Sequence, residues 1–226
     1  MGTAPSAKSA SRSPFEDILY EKKDGIARVA INRPGAYNAF TAQTLREMIA
    51  AFRDAAWDDS VAVVVLTGAG DKAFCAGGDA KEFSTELLKR PRNYWKWQGL
   101  LMEALELFRH LGKPTIARIN GAVAGGGNDW NLAADLAIAA DHARFMQVGT
   151  RVGLVDALGS TQWLPLVIGE RRAREMLLTC DEVTAEQALA WGLVNQVAPY
   201  RQLDRAVNAL SRKLIQRRQS PAPVSN

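Results

Sequence analysis

The apolar run VAVVVLTG at residues 61–68 constrains the fold of this chain more than any other stretch of its sequence. Its valine and leucine residues follow one another without polar alternation, and the run ends in glycine. This pattern is typical of a strand buried on both faces, as in parallel sheets covered by helices. The preceding segment, TAQTLREMIAAFRDAAWDD, predicts a helix that begins after Thr41 as its N-cap. Its apolar residues at helical spacing are Leu45, Met48, Ile49 and Phe52.

Strands and helices alternate along the rest of the chain. Two β-rich runs, at residues 18–21 and 26–31, flank the turn sequence KKDG and favour a hairpin. Further strands are expected in PTIARIN, RFMQ and VNQVAP, and NDWNLAADLAIAA is expected to form a helix followed by a short strand. Helical spacing is found in LLMEALELFRHLG, RRAREMLLTC, TAEQALAWG and QLDRAVNALSRKLIQRR. The pattern predicts an α/β fold built from βαβ units, in one domain with a helical C-terminal end.

The composition excludes several functional classes. The net charge of +4 is spread along the sequence and forms no basic stripe of the kind that binds nucleic acid. Two cysteines and two histidines are too few for a disulfide framework or a zinc site, so we expect no metal and a cytoplasmic setting. No apolar run approaches the roughly 18 residues that span a membrane. Residues 1–14 are small, polar and Pro/Ser-rich, which predicts a disordered tail without a signal-peptide core.

Two glycine clusters follow buried-type strands. DKAFCAGGDAKEF follows the run at 61–68, and GAVAGGGNDW follows PTIARIN and precedes a helix. Glycine lets backbone N–H groups point outward, and the N–H groups at a helix N-terminus are unpaired. Loops that follow parallel strands open at the same edge of a sheet, so the two clusters are expected to offer two N–H donors to one oxygen, an oxyanion hole. Either loop alone is more typical of a tight turn with close packing, and neither has the spacing of a phosphate-binding glycine motif.

Five segments carry a resemblance to a known family. In chain order they are INRPGAYNAF, GDKAFCAGGDAKEF, KPTIARINGAVAGGGNDW, DLAIAADHARFMQVGTRVGL and ALAWGLVNQV. Together they resemble the crotonase (enoyl-CoA hydratase/isomerase) superfamily over residues 15–199. The resemblance implies a spiral of ββα turns, a homotrimer or hexamer, and an acyl-CoA thioester as substrate, with coenzyme A as part of that substrate and no separate cofactor. It also implies that the N–H groups of Ala76 and Gly126 form the oxyanion hole.

The acid and base positions separate this sequence from the hydratases that it resembles. Those enzymes use two glutamates, whereas here the first position is Asp129 and the second is Gly149. The segment FMQVGTRVGLVDALGSTQWLPLVIGERRAREM instead resembles the branch of 1,4-dihydroxy-2-naphthoyl-CoA synthase and the cyclic ketoacyl-CoA hydrolases. That resemblance implies a catalytic aspartate at Asp156 and a hydroxyl at Thr161. A carboxylate in a largely apolar pocket suits proton transfer near neutral pH, so Asp156 is the leading acid–base candidate.

Each of these assignments has a purely structural alternative. Asp156 is also suited to a helix N-cap or a turn, and Asp129 to complementing the dipole of the helix that follows the glycines. Cys75 has no partner histidine in a readable arrangement, so a nucleophilic role is not expected. Trp130, Trp163 and the aromatic residues of NYWKWQ are candidates for an acyl pocket or for the core.

Contacts with coenzyme A are expected around the first glycine loop. For the basic candidates a solvated surface position is the alternative, and for Asp79 it is structural support of the loop. The candidate residues are Arg33, Lys72, Ala76, Gly77, Gly78 and Asp79.

The sequence therefore favours an enzyme that stabilises a thioester enolate and forms or cleaves a C–C bond, with a cyclic acyl-CoA as the expected substrate. Two alternatives stay open: hydration or isomerisation of a linear or aromatic enoyl-CoA by Asp129 and a water molecule, and a non-catalytic CoA-binding homologue. The second alternative follows from residues 200–226, where a basic helix runs into RRQSPAPVSN. Crotonase relatives usually continue there into further helices, so a shortened C-terminal helix and tail are expected.

Overall fold

A computed structural model describes residues 15–154 and 158–219. Within these ranges the strands are β1 (Ile18–Lys23), β2 (Ile26–Ile31), β3 (Val63–Gly68), β4 (Ala73–Cys75), β5 (Thr115–Ile119), β6 (Ala122–Ala124), β7 (Leu136–Ala140), β8 (Arg144–Met146), β9 (Val183–Thr184) and β10 (Gln196–Ala198). They form a six-stranded sheet of order β1-β2-β3-β5-β7-β10 and a four-stranded sheet of order β4-β6-β8-β9. Both sheets are parallel except for the β1–β2 hairpin and the β8–β9 pair.

The helices cover both faces of the larger sheet. They are α1 (Ala42–Trp57), α2 (Ala80–Glu82), α3 (Pro91–Arg109), α4 (Gly126–Ala133), α5 (Gly159–Gln162), α6 (Leu164–Ile168), α7 (Glu170–Thr179), α8 (Ala185–Trp191) and α9 (Leu203–Gln219). A π-helical turn at Phe83–Leu87 follows α2, and 3-10 turns lie at Pro34–Ala36, Thr150–Val152 and Tyr200–Gln202. Thr41 is the N-cap of α1, as predicted, because its hydroxyl accepts the N–H of Thr44 at 3.2 Å.

The chain passes repeatedly from the larger sheet to the smaller one. β3 leads into β4, β5 into β6 and β7 into β8, and helical segments return the chain to the larger sheet. Parallel neighbours need such crossover connections, because a tight turn joins only antiparallel strands. The result is the predicted α/β fold with ββα turns and a helical C-terminal end.

Alternate residues of the central strands face two different cores. Val64 and Leu66 of β3 face the larger core beneath α1 and α3, whereas Val63 and Val65 face the smaller core beneath α9. Side chains alternate between the two faces along a strand, so a strand covered on both faces must be apolar throughout. The continuous apolar run at residues 61–68 therefore contains a strand that is buried on both faces, as predicted.

The structure contains elements that the sequence did not predict, among them β9 and the short helices α2, α5 and α6. The short strands β4 and β6, three residues each, were not predicted, because a run of that length carries no periodic signal. Helix α3 begins at Pro91, so the aromatic segment NYWKWQ lies inside the helix and not before it. The tail predicted for residues 1–14 lies outside the described residues. Of the described helices, none has the length and apolar character needed to cross a membrane.

Candidate active site

A cavity of about 450 Å³ opens where the two glycine loops meet. The loop after β4 and the N-terminus of α4 form its floor, α3 and the π-helical turn form one wall, and the segments around β8 and α5 form the other. A slightly larger cavity, of about 510 Å³, lies beside α9, but it is lined mainly by charged side chains and is distant from both loops. The first cavity is therefore the candidate site.

The first glycine loop is fixed by an isolated parallel bridge to Phe40. The N–H of Phe40 donates to the carbonyl of Gly77 at 2.9 Å, and the N–H of Asp79 donates to the carbonyl of Phe40 at 3.0 Å. Successive peptide groups of an extended segment point to opposite sides, so the N–H of Gly78 is directed away from Phe40. Gly78 lines the cavity, and within residues 15–154 and 158–219 no acceptor takes up its N–H.

This geometry corrects the predicted position of the first donor. The N–H of Ala76 donates to the carbonyl of Tyr37 at 3.1 Å, and it is thus engaged inside the protein. The N–H of Gly77 contacts Sγ of Cys75 at 3.4 Å. Of these three consecutive amides, the one of Gly78 is directed into the cavity.

The second donor is the N–H of Gly126, the first residue of α4. Gly125 precedes it with φ +50°, a conformation that favours glycine and turns the chain into the helix. The first N–H groups of a helix have no intrahelical partner, and none of the described residues accepts this one. A Cβ atom on Gly77 would lie 3.1 Å from the nitrogen of Gly126, so the two loops are in direct contact. The N–H groups of Gly78 and Gly126 therefore both face the cavity.

Asp79 and Arg33 hold the first loop from below. The Oδ1 atom of Asp79 accepts the N–H groups of Lys81 and Glu82, both at 3.0 Å, and caps α2. The Arg33 guanidinium donates to Oδ2 of Asp79 at 2.8 Å. Burial alone would raise the pKa of Asp79, but the Glu82 N–H and the Arg33 guanidinium hold it below its usual value. Both residues brace the loop in this structure, and neither lines the cavity.

Asp129 lies on the face of α4 that carries Gly126, because residues three apart on a helix are neighbours. Its side chain is buried, and the hydroxyl of Ser160 donates to its Oδ1 atom at 2.8 Å. Gly159 packs against the same oxygen, since a Cβ atom there would lie 2.8 Å from it. The carboxylate thus lines the cavity in a fixed position.

Cys75 lies behind the site and is completely buried. Burial raises the pKa of its thiol to about 12, with the Gly77 N–H opposing this shift and the charge on Asp129 adding to it. A thiol with such a pKa is not a nucleophile at neutral pH.

The remaining predicted residues take different positions. Gly149 lines the cavity and presents no side chain there. Thr161 is exposed and does not line the cavity, whereas its neighbour Ser160 does. Lys72 is exposed just before β4. Asp156 lies outside the described residues.

Aromatic side chains form one wall, and Tyr94 and Trp97 among them come from NYWKWQ, the segment with candidates for an acyl pocket. The Trp97 ring stacks on Phe40 with 5.8 Å between centroids and 13° between planes, and Phe83 meets Trp97 edge-on at 4.9 Å. The indole N–H of Trp97 donates to Oε2 of Glu82 at 3.2 Å, which fixes the ring. A Cβ atom on Gly78 would lie 2.8 Å from Phe83 and 3.1 Å from Trp97, so this wall rises directly beside the first donor.

The sequence contains a signal for this wall. Tyr94, Trp97, Gln98 and Leu101 line the cavity at helical spacing, and Pro91 stands at the first helical position, where proline is favoured. Trp130, by contrast, packs against Phe52 and Phe108 in the core. Among the described residues, no group of three His, Cys, Asp or Glu side chains is placed to hold a metal ion.

The chain matches a family model and many solved structures. The model, described as Enoyl-CoA hydratase/isomerase, matches residues 21–224. An enoyl-CoA hydratase from Mycobacterium smegmatis is 34% identical with a TM-score of 0.83, over 88% of this chain and 77% of that one. DspI from Pseudomonas aeruginosa is 33% identical with a TM-score of 0.85, over 94% and 85%. An enoyl-CoA hydratase from Bacillus anthracis is 30% identical with a TM-score of 0.84, over 88% and 77%.

Proposed function

The chain belongs to the enoyl-CoA hydratase/isomerase family, and from this premise we propose that it acts on an acyl-CoA thioester by stabilising its enolate. The observation that carries the proposal is the pair of N–H groups of Gly78 and Gly126 facing one cavity. A thioester oxygen placed between them accepts both hydrogen bonds. Its negative charge grows as the α-proton leaves, so the bonds strengthen in the transition state, where each such donor contributes about 3 kcal/mol.

For the step that follows, we propose formation or cleavage of a C–C bond on a cyclic acyl-CoA, with Asp156 transferring the proton. Gly149 supports this choice, because the cavity wall has no carboxylate at the position where the hydratases carry their second glutamate. The aromatic wall of Phe83 and Trp97 beside Gly78 also supports it, since a flat ring system stacks well on such a surface. Thr161 is proposed to assist from the exposed side of α5.

Hydration or isomerisation of an enoyl-CoA is the alternative. Asp129 favours it specifically, because this buried carboxylate lines the cavity on the same helical face as Gly126. The hydratases named among the similar structures favour it as well. In this alternative Asp129 and a water molecule perform the proton transfers. A CoA-binding protein without catalysis is the remaining alternative.

Coenzyme A is proposed to bind as part of the substrate, with its phosphates near Lys72 and its thioester end along Gly77 and Gly78. Arg33 and Asp79 act in this proposal by bracing that loop. We further propose a homotrimer or hexamer located in the cytoplasm, following the family resemblance.

Two measurements test the proposal. Calorimetry with acyl-CoA thioesters tests binding, and no binding of any thioester would contradict every form of it. Turnover of linear enoyl-CoAs and cyclic β-ketoacyl-CoAs, read by product mass, then separates the reactions. Linear hydration products alone would contradict the ring preference. Unchanged turnover in Asp156→Asn would contradict the proposed role of Asp156, and binding without turnover would favour the non-catalytic alternative.

A further inference from the structure

Ser160 has a role that the family resemblance did not assign. Its side chain is 1% exposed, it lines the cavity, and its hydroxyl donates to Oδ1 of Asp129 at 2.8 Å. We propose that Ser160 is a positioning residue that holds Asp129 in the orientation of the base for the α-proton of the bound thioester. The inference rests on the alternative proposed above, in which Asp129 performs the proton transfers at a thioester enolate, and it goes beyond that alternative by assigning the group that positions this carboxylate.

The local backbone is built around this contact. Leu158, two residues before Ser160, has φ +56° and ψ −123°, a conformation that is unfavourable for a residue with a side chain. Gly159 then passes so close to the carboxylate that a Cβ atom would lie 2.8 Å from Oδ1. Strained residues of this kind persist where the surrounding structure requires them, often at active sites. Here the strain accompanies the placement of the Ser160 hydroxyl on Asp129.

A hydroxyl that donates to a carboxylate favours its charged form, whereas burial disfavours it. The hydrogen bond therefore compensates part of the burial of Asp129 and fixes the position of its Oδ1 atom. The titratable group that faces Asp129 from β4 is Cys75, whose thiol, with a pKa of about 12, stays neutral over the working range. The charge on this thiol therefore does not change beside Asp129.

The proposed step moves one proton and leaves its bonding electron pair on the substrate. The α-proton moves from carbon to a carboxylate oxygen of Asp129, and the C–H electron pair enters the enolate, whose oxygen is held by the N–H groups of Gly78 and Gly126. Return of the proton to the same carbon restores the thioester. In D₂O the carboxyl group exchanges its proton with solvent, and the α-carbon takes up deuterium.

The test follows deuterium uptake at the α-carbon of butyryl-CoA by mass, together with the binding of butyryl-CoA by calorimetry. In Ser160→Ala the carboxylate loses the donor that orients it, so the exchange rate is expected to fall about tenfold while the affinity for butyryl-CoA stays unchanged. Ser160→Cys keeps the size and a weaker donor, and is expected to be intermediate. Asp129→Asn is expected to lose exchange. Thr179→Ala, which removes an exposed hydroxyl on α7, is the matched control and should behave like the wild type.

Each outcome decides a different question. Exchange at the wild-type rate in a folded Ser160→Ala variant overturns the role of Ser160 and leaves the proposed function standing. Exchange at the wild-type rate in Asp129→Asn overturns the assignment of the base. Absence of exchange in wild-type protein that binds butyryl-CoA overturns the proposed enolate, and the role of Ser160 with it. Thermal unfolding of each variant establishes that it is folded.

Discussion

The N–H of Gly126 can be removed with little change in the backbone, because Gly126 is the first residue of α4. Proline is well tolerated at this position, where its fixed φ suits the helix and the missing N–H has no intrahelical partner. Gly126→Pro therefore deletes the proposed donor, and Gly126→Ala keeps it. Both variants add a Cβ atom at 2.9 Å from Cζ of Phe40, a contact with the end of a side chain. The difference in exchange rate between the two variants therefore measures the contribution of the Gly126 N–H.

The expected difference follows from the energy of one oxyanion donor. Its loss costs about 3 kcal/mol of transition-state stabilisation, so Gly126→Pro is expected to exchange the α-protons of butyryl-CoA about 100- to 1,000-fold more slowly than Gly126→Ala. Deuterium uptake measured by mass gives the rates, and calorimetry with butyryl-CoA shows whether binding is retained. Thermal unfolding shows that both variants are folded. If the proline variant came within about threefold of the alanine variant, a difference below 1 kcal/mol, the N–H of Gly126 would not be an oxyanion donor.

Three further predictions concern the frame of the site. Gly127→Ala is expected to lower the melting temperature by about 6–12 °C, because its Cβ atom would lie 2.0 Å from the carbonyl oxygen of Cys75 and cost about 3 kcal/mol. Gly99→Ala, with open space at its Cβ position, is the control and should not lower it. Asp79→Asn keeps a capping side chain but removes the charge, so it is expected to cost about 1–2 kcal/mol at pH 7 in urea unfolding. The folded-state pKa of Asp79 is lowered, so this difference should be present above about pH 4 and disappear as the pH falls below it. Cys75 is expected to resist iodoacetamide at pH 8 in folded protein, read by peptide mass, and to react after unfolding.

Each of these three has a result that contradicts it. Equal melting temperatures for the two alanine variants would mean that the loops are not packed as described. A cost of Asp79→Asn that stays constant down to pH 2 would mean that the carboxylate charge does not stabilise the loop. Rapid labelling of Cys75 in folded protein would mean that β4 opens readily.

The sequence predicted the larger sheet because its signal is local. An uninterrupted apolar run such as β3 has few alternatives to a doubly covered strand, and the cap of α1 by Thr41 depends on neighbouring residues alone. The smaller sheet left no comparable signal. β4 and β6 have three residues each, and their pairing is decided by the packing of segments about fifty residues apart.

The position of the first N–H donor likewise depends on contacts between segments that are far apart in the sequence. The sequence does not show which of Ala76, Gly77 and Gly78 is the donor, since all three are small residues in the loop that follows β4. The carbonyl groups of Tyr37 and Phe40, far away in the sequence, decide which N–H group is engaged and which faces the cavity. Likewise, Ser160 and Thr161 are adjacent hydroxyls, and only the turn at Leu158 determines which of them meets Asp129. Choices of this kind depend on tertiary contacts, so motif spacing does not reveal them.

The glycines of both loops serve packing as much as hydrogen bonding. A Cβ atom on Gly121 would lie 2.4 Å from the carbonyl oxygen of Lys72, and one on Gly127 would lie 2.0 Å from that of Cys75, so β6 and α4 approach β4 this closely only because these residues lack side chains. A chain that packs these segments in this way obtains the pair of N–H donors as a consequence of the fold. In the proposed function this pair stabilises the enolate, and the fate of the enolate depends on the carboxylates. Within the described residues Asp129 is the carboxylate that lines the cavity, opposite Gly149, which offers no second one. A single base such as Asp129 can remove the α-proton and return it. Addition of water needs two proton transfers, one from the water molecule and one to the α-carbon, so one group must perform both or a second group must share them.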